Sequence, residues 1–253
     1  MSGAGVQLTL SWPMPDSFAE DDFMVGDANQ QAWDLLARWP DWPEPALRLS
    51  GPAGVGKTHL ATIFARRSGA LWFPDASLRL PDGAGGAGEP FDLAACDGRR
   101  PVVIDACDSG PVNEHGLFHL LNRVREQGGS ALLVSRAAPQ HWGLRTPDLV
   151  SRLRLSPAVE IAPPDDALFR AILVKLFHDR QLAIDAPVAD YLARRLDRSA
   201  ARARALVARI DDRALSLGRP VTRALAAEVL REAGAAGDGS GRDDDDDGGL
   251  DAP

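Results

Sequence analysis

The chain has 253 residues, 45% of them hydrophobic and 25% charged, which is the composition of a soluble globular protein with one large domain or two small ones. Its net charge of −8 argues against a strongly basic nucleic-acid-binding surface, and its two cysteines exclude a disulfide framework. No apolar run reaches the roughly 18 residues of a membrane span. Because the first basic residue is Arg38, the sequence lacks the charged start of a secretory signal and predicts a cytoplasmic protein.

The first 16 residues carry one recognisable pattern. Apolar and polar side chains alternate along Gln7-Leu8-Thr9-Leu10-Ser11-Trp12, and such alternation favours an extended backbone. Two structures fit it. The segment is either an edge strand of the chain's own sheet, or a peptide whose Leu10 and Trp12 fill an apolar pocket of another protein while Gln7 forms hydrogen bonds at the rim.

The most specific motif of the chain is Gly51-Pro52-Ala53-Gly54-Val55-Gly56-Lys57-Thr58, which fits the phosphate-loop pattern G-x-x-x-x-G-K-[ST]. A strand-like segment, Ala46–Ser50, precedes it, and a helix-forming segment, His59–Arg66, follows it. A Gly-rich turn that opens a helix is the alternative, but strand, loop and helix all agree with a nucleotide site. We therefore expect Lys57 to reach the β- and γ-phosphates of a nucleotide and Thr58 to hold Mg²⁺.

Further strands alternate with helices as far as about residue 161. Apolar runs predict strands at 70–73, 101–105 and 131–135, and a helix over 114–127 is ended by Gly128. Residues 81–90 are rich in Gly and Pro and predict a surface loop. This alternation predicts a doubly wound parallel sheet, which is an α/β fold.

After Pro163 the pattern becomes purely helical. Apolar residues recur at helical spacing and predict about four helices as far as residue 233, the last of them capped by Thr222. Residues 234–253 hold seven Asp and one Arg, so most of the negative charge lies in this predicted disordered tail. The sequence thus predicts an N-terminal peptide, an α/β nucleotide-binding domain, a small all-α lid and an acidic tail, in the ranges 1–16, 17–162, 163–233 and 234–253.

An α/β nucleotide domain followed by a helical lid resembles the AAA+ ATPases. Three further segments resemble the DnaA replication initiators within that superfamily: residues 23–29, before the phosphate loop; residues 118–122, a Phe/Asn helix; and residues 148–153, which contain Ser-Arg-Leu. The helical part ends near residue 233, where DnaA carries a helix-turn-helix DNA-binding domain. The plan is similar to that of the Hda-type regulators of the DnaA family, and Gln7 to Trp12 resembles their peptide for the polymerase sliding clamp.

The resemblance gives Asp105 and Ala106 specific meanings. At the end of its strand, Asp105 corresponds to the carboxylate that orients Mg²⁺ beside Thr58, although an Asp there can also cap a turn. The next position normally bears a second acid, which polarises the attacking water, and here it is Ala106. Asp108 lies three residues after Asp105 and is not an evident substitute. We therefore expect weak intrinsic hydrolysis and long retention of ADP or ATP.

Arg152 corresponds to the arginine finger of the family, a guanidinium inserted into the ATP site of a neighbour. The alternative is a surface ion pair at a helix end. The residues that sense the γ-phosphate are less evident: Ser135 or Arg136 occupies the first sensor region, and Arg198 or Arg202 lies near the second unless both belong to a solvated helix face.

The sequence therefore predicts a nucleotide-bound regulator that binds the sliding clamp near the replisome and nucleoid and stimulates ATP hydrolysis by DnaA. The predicted partners are DnaA, the clamp and possible further copies of the chain, without a membrane and without sequence-specific DNA binding. A self-acting AAA+ ATPase such as a helicase loader, and a factor that recruits DnaA without stimulating hydrolysis, are the alternatives. His115 and His119 stand four residues apart without a third metal ligand nearby and predict helix surface.

Overall fold

The structure, a computed structural model, describes residues 18–79 and 98–238, with side chains as far as residue 233. The strands of this part are β1 (Ala46–Ser50), β2 (Leu71–Phe73), β3 (Val102–Ile104), β4 (Ala131–Val134) and β5 (Ala158–Glu160). The helices are α1 (Gln30–Ala37), α2 (Lys57–Ser68), α3 (Glu114–Gln127), α4 (Pro147–Leu155), α5 (Asp166–His178), α6 (Ala186–Ala193), α7 (Ala200–Leu217) and α8 (Arg223–Asp238).

The five strands form one parallel sheet in the order β2-β3-β4-β1-β5. The predicted parallel α/β sheet is confirmed, and β1 and α3 have the predicted bounds. β5 pairs with β1 at the edge of the sheet, and Arg48 is opposite Ala158 in that register. The sequence pattern had not singled out β5, because three residues that alternate exposed, buried and exposed are too short to give a periodic signal.

Each face of the sheet carries its own apolar core. Leu47 and Leu49 of β1 pack with α1 and α2 on one face. Ile104 and Leu133 lie on the other face, where they pack with buried residues of α3 and α4. Side chains alternate across a strand, so two adjacent positions serve different cores. The sheet is consequently covered on both faces, as parallel sheets generally are.

Aromatic residues, among them the tryptophans before β1, strengthen the core beside α2. The Trp42 ring stacks on Phe64 with centroids 4.9 Å apart, and Trp39 meets the same ring edge-on at 6.0 Å. Trp33 stacks on Phe23 at 5.6 Å. The tryptophans therefore fix α1 and the following loop against α2.

Short-range signals end or begin several helices as predicted. Gly128 adopts φ 72° and its N–H donates to the carbonyl of Val124, which ends α3. The hydroxyl of Thr222 accepts a hydrogen bond from the N–H of Leu225 at 3.3 Å, so it caps α8. Both features are determined by residues within four positions of each other.

The chain divides into two compact units between Leu168 and Phe169, in the first turn of α5. The second unit consists of the rest of α5 with α6, α7 and α8 around an apolar cluster that includes Phe169, Phe177 and Ile210, each 0% exposed. The predicted group of four helices is thereby confirmed. Among the residues that the structure describes, no helix has both the length and the apolar character of a membrane span.

Candidate functional site

The phosphate loop leaves β1 and bends directly into α2. Gly51, Gly54 and Gly56 adopt φ angles of 144°, 77° and 104°, which side-chain-bearing residues rarely adopt. At Gly51 a Cβ would also lie 2.2 Å from the carbonyl oxygen of Ile161, the residue after β5. The loop is thus held close to the end of β5, and its glycines supply both the curvature and the space. Strand, loop and helix have the geometry of a cradle for phosphate oxygens.

Lys57 lies folded into this loop and is only 9% exposed. Its ammonium group donates to the carbonyls of Gly51 and Pro52, each at 2.7 Å. Burial lowers the pKa of Lys57, and the nearby charge of Arg136 lowers it further, whereas Asp105 raises it. An ammonium with incomplete charge compensation in a partly desolvated loop favours an anionic ligand.

Thr58 and Asp105 meet at the mouth of the loop. The Thr58 hydroxyl donates to Asp105 Oδ2 at 2.9 Å, and the N–H of Ala106 donates to Asp105 Oδ1 at 2.8 Å. Burial raises the pKa of Asp105, against the effect of these two hydrogen bonds. A hydroxyl and a carboxylate are the hard oxygen ligands that Mg²⁺ prefers, and Mg²⁺ usually takes few protein ligands beside phosphates and water. Thr58 and Asp105 would thus hold the Mg²⁺ of a Mg²⁺-nucleotide, and the ion would neutralise charge on the phosphates.

Ala106 and Asp108 follow Asp105 and have different surroundings. Ala106 has φ 44°, and its methyl group offers no base for an attacking water. The Asp108 carboxylate accepts hydrogen bonds from the N–H groups of Arg136 and Ala137 at 2.8 and 2.7 Å. Asp108 thus holds the loop after β4, a role that sequence reasoning missed. No local sequence pattern signals this role, because Arg136 and Ala137 lie 28 and 29 residues after Asp108 in the chain.

The two candidates for the first sensor differ in exposure. Ser135 is 2% exposed, and its hydroxyl donates to the carbonyl of Ala137 at 2.9 Å. Arg136 is exposed, and its charge contributes to the lowered pKa of Lys57. The Ser135 hydroxyl therefore stabilises the loop after β4. Arg136 is the one of the two residues whose positive charge affects Lys57 in the phosphate loop.

The finger candidate Arg152 lies on α4 with its side chain 40% exposed. Its guanidinium lies 4.7 Å from the centre of the Phe118 ring and donates to the Asn122 side chain. Its Nε lies 3.3 Å from Asp148 Oδ2, four residues earlier on the same helix. The structure therefore brings together the Phe/Asn helix and the Ser-Arg-Leu segment, and it also contains the ion pair that the alternative interpretation expected.

Other contacts fix the start of α4. Glu114, in the first turn of α3, accepts hydrogen bonds from the N–H groups of Arg145 and Thr146 at 2.9 and 2.7 Å. The hydrogen bond from the Thr146 side chain, followed by that from the backbone of Arg145, lowers the pKa of Glu114. A carboxylate at a helix N-terminus also interacts favourably with the helix dipole. Glu114 consequently anchors the helix that carries Arg152.

The remaining candidates form no second site in the described residues. His115 and His119 have ring nitrogens 3.1 Å apart on an exposed face of α3, and no group of three or more His, Cys, Asp or Glu there could hold a metal ion. Arg202 forms an exposed ion pair with Asp197 in the second unit. The segment from Gln7 to Trp12 lies outside the described residues.

No protein-family model matches the chain. The chain is similar to part of several curated proteins. One, named for ATP binding and for its place in an insertion sequence of Mycobacterium tuberculosis, is 35% identical over 43% of this chain and 47% of its own length. The initiator DnaA of Thermomicrobium roseum is 30% identical over 47% of this chain and 25% of its own. DnaA of Enterococcus faecalis is 24% identical over 83% of the chain. The chain spans 25% to 51% of the length of these relatives.

Solved structures share the fold more extensively. Domain III of DnaA from Thermotoga maritima superposes with a TM-score of 0.71 at 20% identity, over 87% of this chain and 98% of that one. AMPPCP-bound DnaA from Aquifex aeolicus gives 0.64 at 18% identity, over 87% and 71% of the two chains. The RuvB Holliday junction branch migration motor of T. maritima gives 0.62 at 18% identity, over 85% and 71%. The chain therefore has the AAA+ fold of DnaA domain III, a fold that a DNA motor shares.

Proposed function

We propose that this chain is a nucleotide-bound regulator of replication initiation, of the Hda type, that stimulates the hydrolysis of ATP held by DnaA. The observation that carries the proposal is the setting of Arg152. Its guanidinium is partly exposed and oriented by Phe118, Asn122 and Asp148 together. A cation oriented in this way can stabilise the charge on a phosphoryl group in another protein's site.

The chain's own nucleotide site supports the same proposal. Lys57, Thr58 and Asp105 are arranged for a Mg²⁺-nucleotide, and the DnaA structure from A. aeolicus that shares the fold contains AMPPCP. The position after Asp105 is Ala106, which cannot polarise water. ADP or ATP in this site would hold the α/β unit in one conformation, and the chain would turn it over slowly.

The segment Gln7 to Trp12 supplies the second half of the proposal. Its alternating side chains suit an extended peptide that binds the polymerase sliding clamp through Leu8, Leu10 and Trp12, with Gln7 at the rim of the pocket. Docking on the clamp would concentrate the regulator where replication has started. The proposal thus links the hydrolysis of initiator-bound ATP to DNA that already carries a clamp.

A self-acting ATP-binding module is a second candidate. The relative from M. tuberculosis, which is named for ATP binding in an insertion sequence, favours it with the highest identity of these three relatives. A module of this class would hydrolyse ATP by itself. Its turnover would not depend on DnaA or on the clamp, so one assay separates the two candidates. A factor that only recruits DnaA would bind it without accelerating hydrolysis.

The test measures the hydrolysis of labelled ATP preloaded on DnaA, with clamp-loaded DNA and with wild-type chain or a variant of it. Arg152→Ala should lower the stimulation about 10³-fold or more, as the loss of an arginine finger does elsewhere. Arg154→Ala is the matched control, because Arg154 is an exposed arginine on the same helix. Equal loss in both variants, or rapid ATP turnover by the chain alone, would contradict the proposal.

A further inference from the structure

Arg48 is a charged side chain in the middle of β1, the strand that leads into the phosphate loop. It lies between Leu133 of β4 and Ala158 of β5, which are its register partners. Parallel register partners point to the same face of a sheet, so Arg48 lies on the face covered by α3 and α4. It is half-buried, and burial lowers the pKa of its guanidinium. An apolar residue would be the inexpensive choice at this position.

The Arg48 guanidinium reaches the C-terminal end of α4, the helix that carries Arg152. Arg48 Nη2 donates to the carbonyl of Ser156, the residue that ends α4, at 3.1 Å. Its Nε is buried without a hydrogen-bond partner, and no carboxylate pairs with it among the described residues. A cation beside the C-terminal carbonyls of a helix is favourable. One hydrogen bond and the helix end are therefore the compensation that the structure gives this charge.

Ser156 connects Arg48 to the backbone of Arg152. The N–H and the hydroxyl of Ser156 both donate to the carbonyl of Arg152, each at 3.1 Å. The contacts form a continuous path from β1 through Arg48 and Ser156 to Arg152. At the last residue of β1, the N–H of Ile161 donates to the carbonyl of Ser50 at 2.8 Å. β1 is therefore also fixed where the phosphate loop begins.

We propose that Arg48 is a positioning residue, which fixes the last turn of α4 to the phosphate-loop strand and so holds Arg152 in the orientation in which it acts. The consequence for hydrolysis rests on the proposed function, whereas the consequence for α4 does not. A residue that only stabilised the fold would behave differently. A half-buried charge with one hydrogen bond can be replaced by an apolar residue of similar length with little loss of stability. A loss of function in such a variant would then be separate from any loss of stability.

The test compares Arg48→Met, Arg48→Lys and the control Arg154→Met in the full chain. In Arg48→Met, we expect the thermal midpoint to stay equal or rise, and ADP affinity to stay within about twofold. The backbone amides of residues 153–156 should exchange with deuterium about tenfold faster, which is the size of a lost hydrogen bond to a charged group. Lysine should restore much of the protection, and Arg154→Met should leave it unchanged.

The second arm measures the stimulation of ATP hydrolysis on DnaA. Arg48→Met should lower the maximal stimulation about tenfold, with the half-saturating concentration within about twofold, because orientation and not binding is lost. Unchanged exchange in residues 153–156 would overturn the inference whatever the chain does to DnaA. Faster exchange with full stimulation would make Arg48 merely structural and would also overturn it.

A wild-type chain that fails to stimulate hydrolysis would sink the proposed function and leave the exchange arm to decide on Arg48. If Arg48→Met does not fold, Arg48→Gln takes its place in both arms, since it removes the charge and keeps a polar group in the sheet. The same outcomes then apply.

Discussion

Replacing Gly51 with alanine should disrupt the nucleotide site through the backbone. The Cβ that Gly51→Ala adds would lie 2.2 Å from the carbonyl oxygen of Ile161, whereas real Cβ contacts stay beyond 3.0 Å. The φ angle of 144° is also strained for any residue with a side chain. The loop or the end of β5 must therefore move, and the hydrogen bond from Ile161 to Ser50 lies at the point of movement.

The magnitude follows from these two effects. A residue held in a Gly-only backbone region costs about 1–3 kcal/mol, and a weakened backbone hydrogen bond adds about 1 kcal/mol. A loss of about 2–4 kcal/mol should lower the thermal midpoint of a unit of this size by roughly 4–16 °C, at about 2–4 °C per kcal/mol. Because Lys57 donates to the carbonyl of Gly51, ADP affinity should also fall by about tenfold or more.

Gly69→Ala is the matched control, because it introduces backbone strain at a positive φ without a steric clash of the added Cβ. Gly69 ends α2 with φ 66°, and a Cβ added there would meet nothing within 4 Å. Its replacement should cost about 1–2 kcal/mol for the left-handed conformation alone, with ADP affinity unchanged. Differential scanning fluorimetry and titration with ADP measure both quantities. If Gly51→Ala is no more destabilising than Gly69→Ala and binds ADP as well as the wild type, the described loop geometry is wrong.

Two further predictions concern α4. The folded-state pKa of Glu114 is lowered from its ordinary value of 4.5, so its contribution to stability is present above pH 4.5 and is lost as the pH falls through the lowered value. Glu114→Gln should therefore reduce the free energy of unfolding at neutral pH and flatten its decline in acid, which pH-dependent unfolding measures. Glu126→Gln, at an exposed position near the end of α3, is the control and should leave the stability at neutral pH unchanged. Leu155 is 81% exposed three residues after Arg152. If α4 docks on DnaA, burying this leucine contributes about 1.5–3 kcal/mol, and Leu155→Ser should raise the half-saturating concentration for stimulation about tenfold or more. Leu215→Ser, 82% exposed in the second unit, is the control, and an equal effect of both leucines would argue against docking through α4.

The features that sequence predicted well are determined over short distances in the chain. The strand, turn and helix from β1 to α2, the end of α3 at Gly128 and the Thr222 cap each depend on residues within a few positions of one another. Backbone conformation and nearby hydrogen bonds decide such features, so the pattern of residue types suffices. The parallel sheet followed in the same way from the alternation of apolar runs with helical segments.

The features that sequence missed depend on which strands are neighbours. Asp108 binds the loop after β4 because β3 and β4 are adjacent, and Arg48 meets Ser156, 108 residues away, because β1 is adjacent to β5. Alternation of strands and helices does not give the strand order. Without the strand order β2-β3-β4-β1-β5, the contact partners of Arg48 and Asp108 cannot be inferred from the sequence.

The distribution of polar contacts around α4 supports the proposed action of Arg152 on another protein's nucleotide. α4 has two buried leucines that pack it on the core. In addition, three side chains from other elements form hydrogen bonds with it or with the residues next to it: Glu114 at its start, Asn122 at Arg152 and Arg48 at its end. At the end of β3, where a self-acting ATPase needs an acid, there is the methyl group of Ala106. These three contacts around α4 therefore support the proposed role of Arg152.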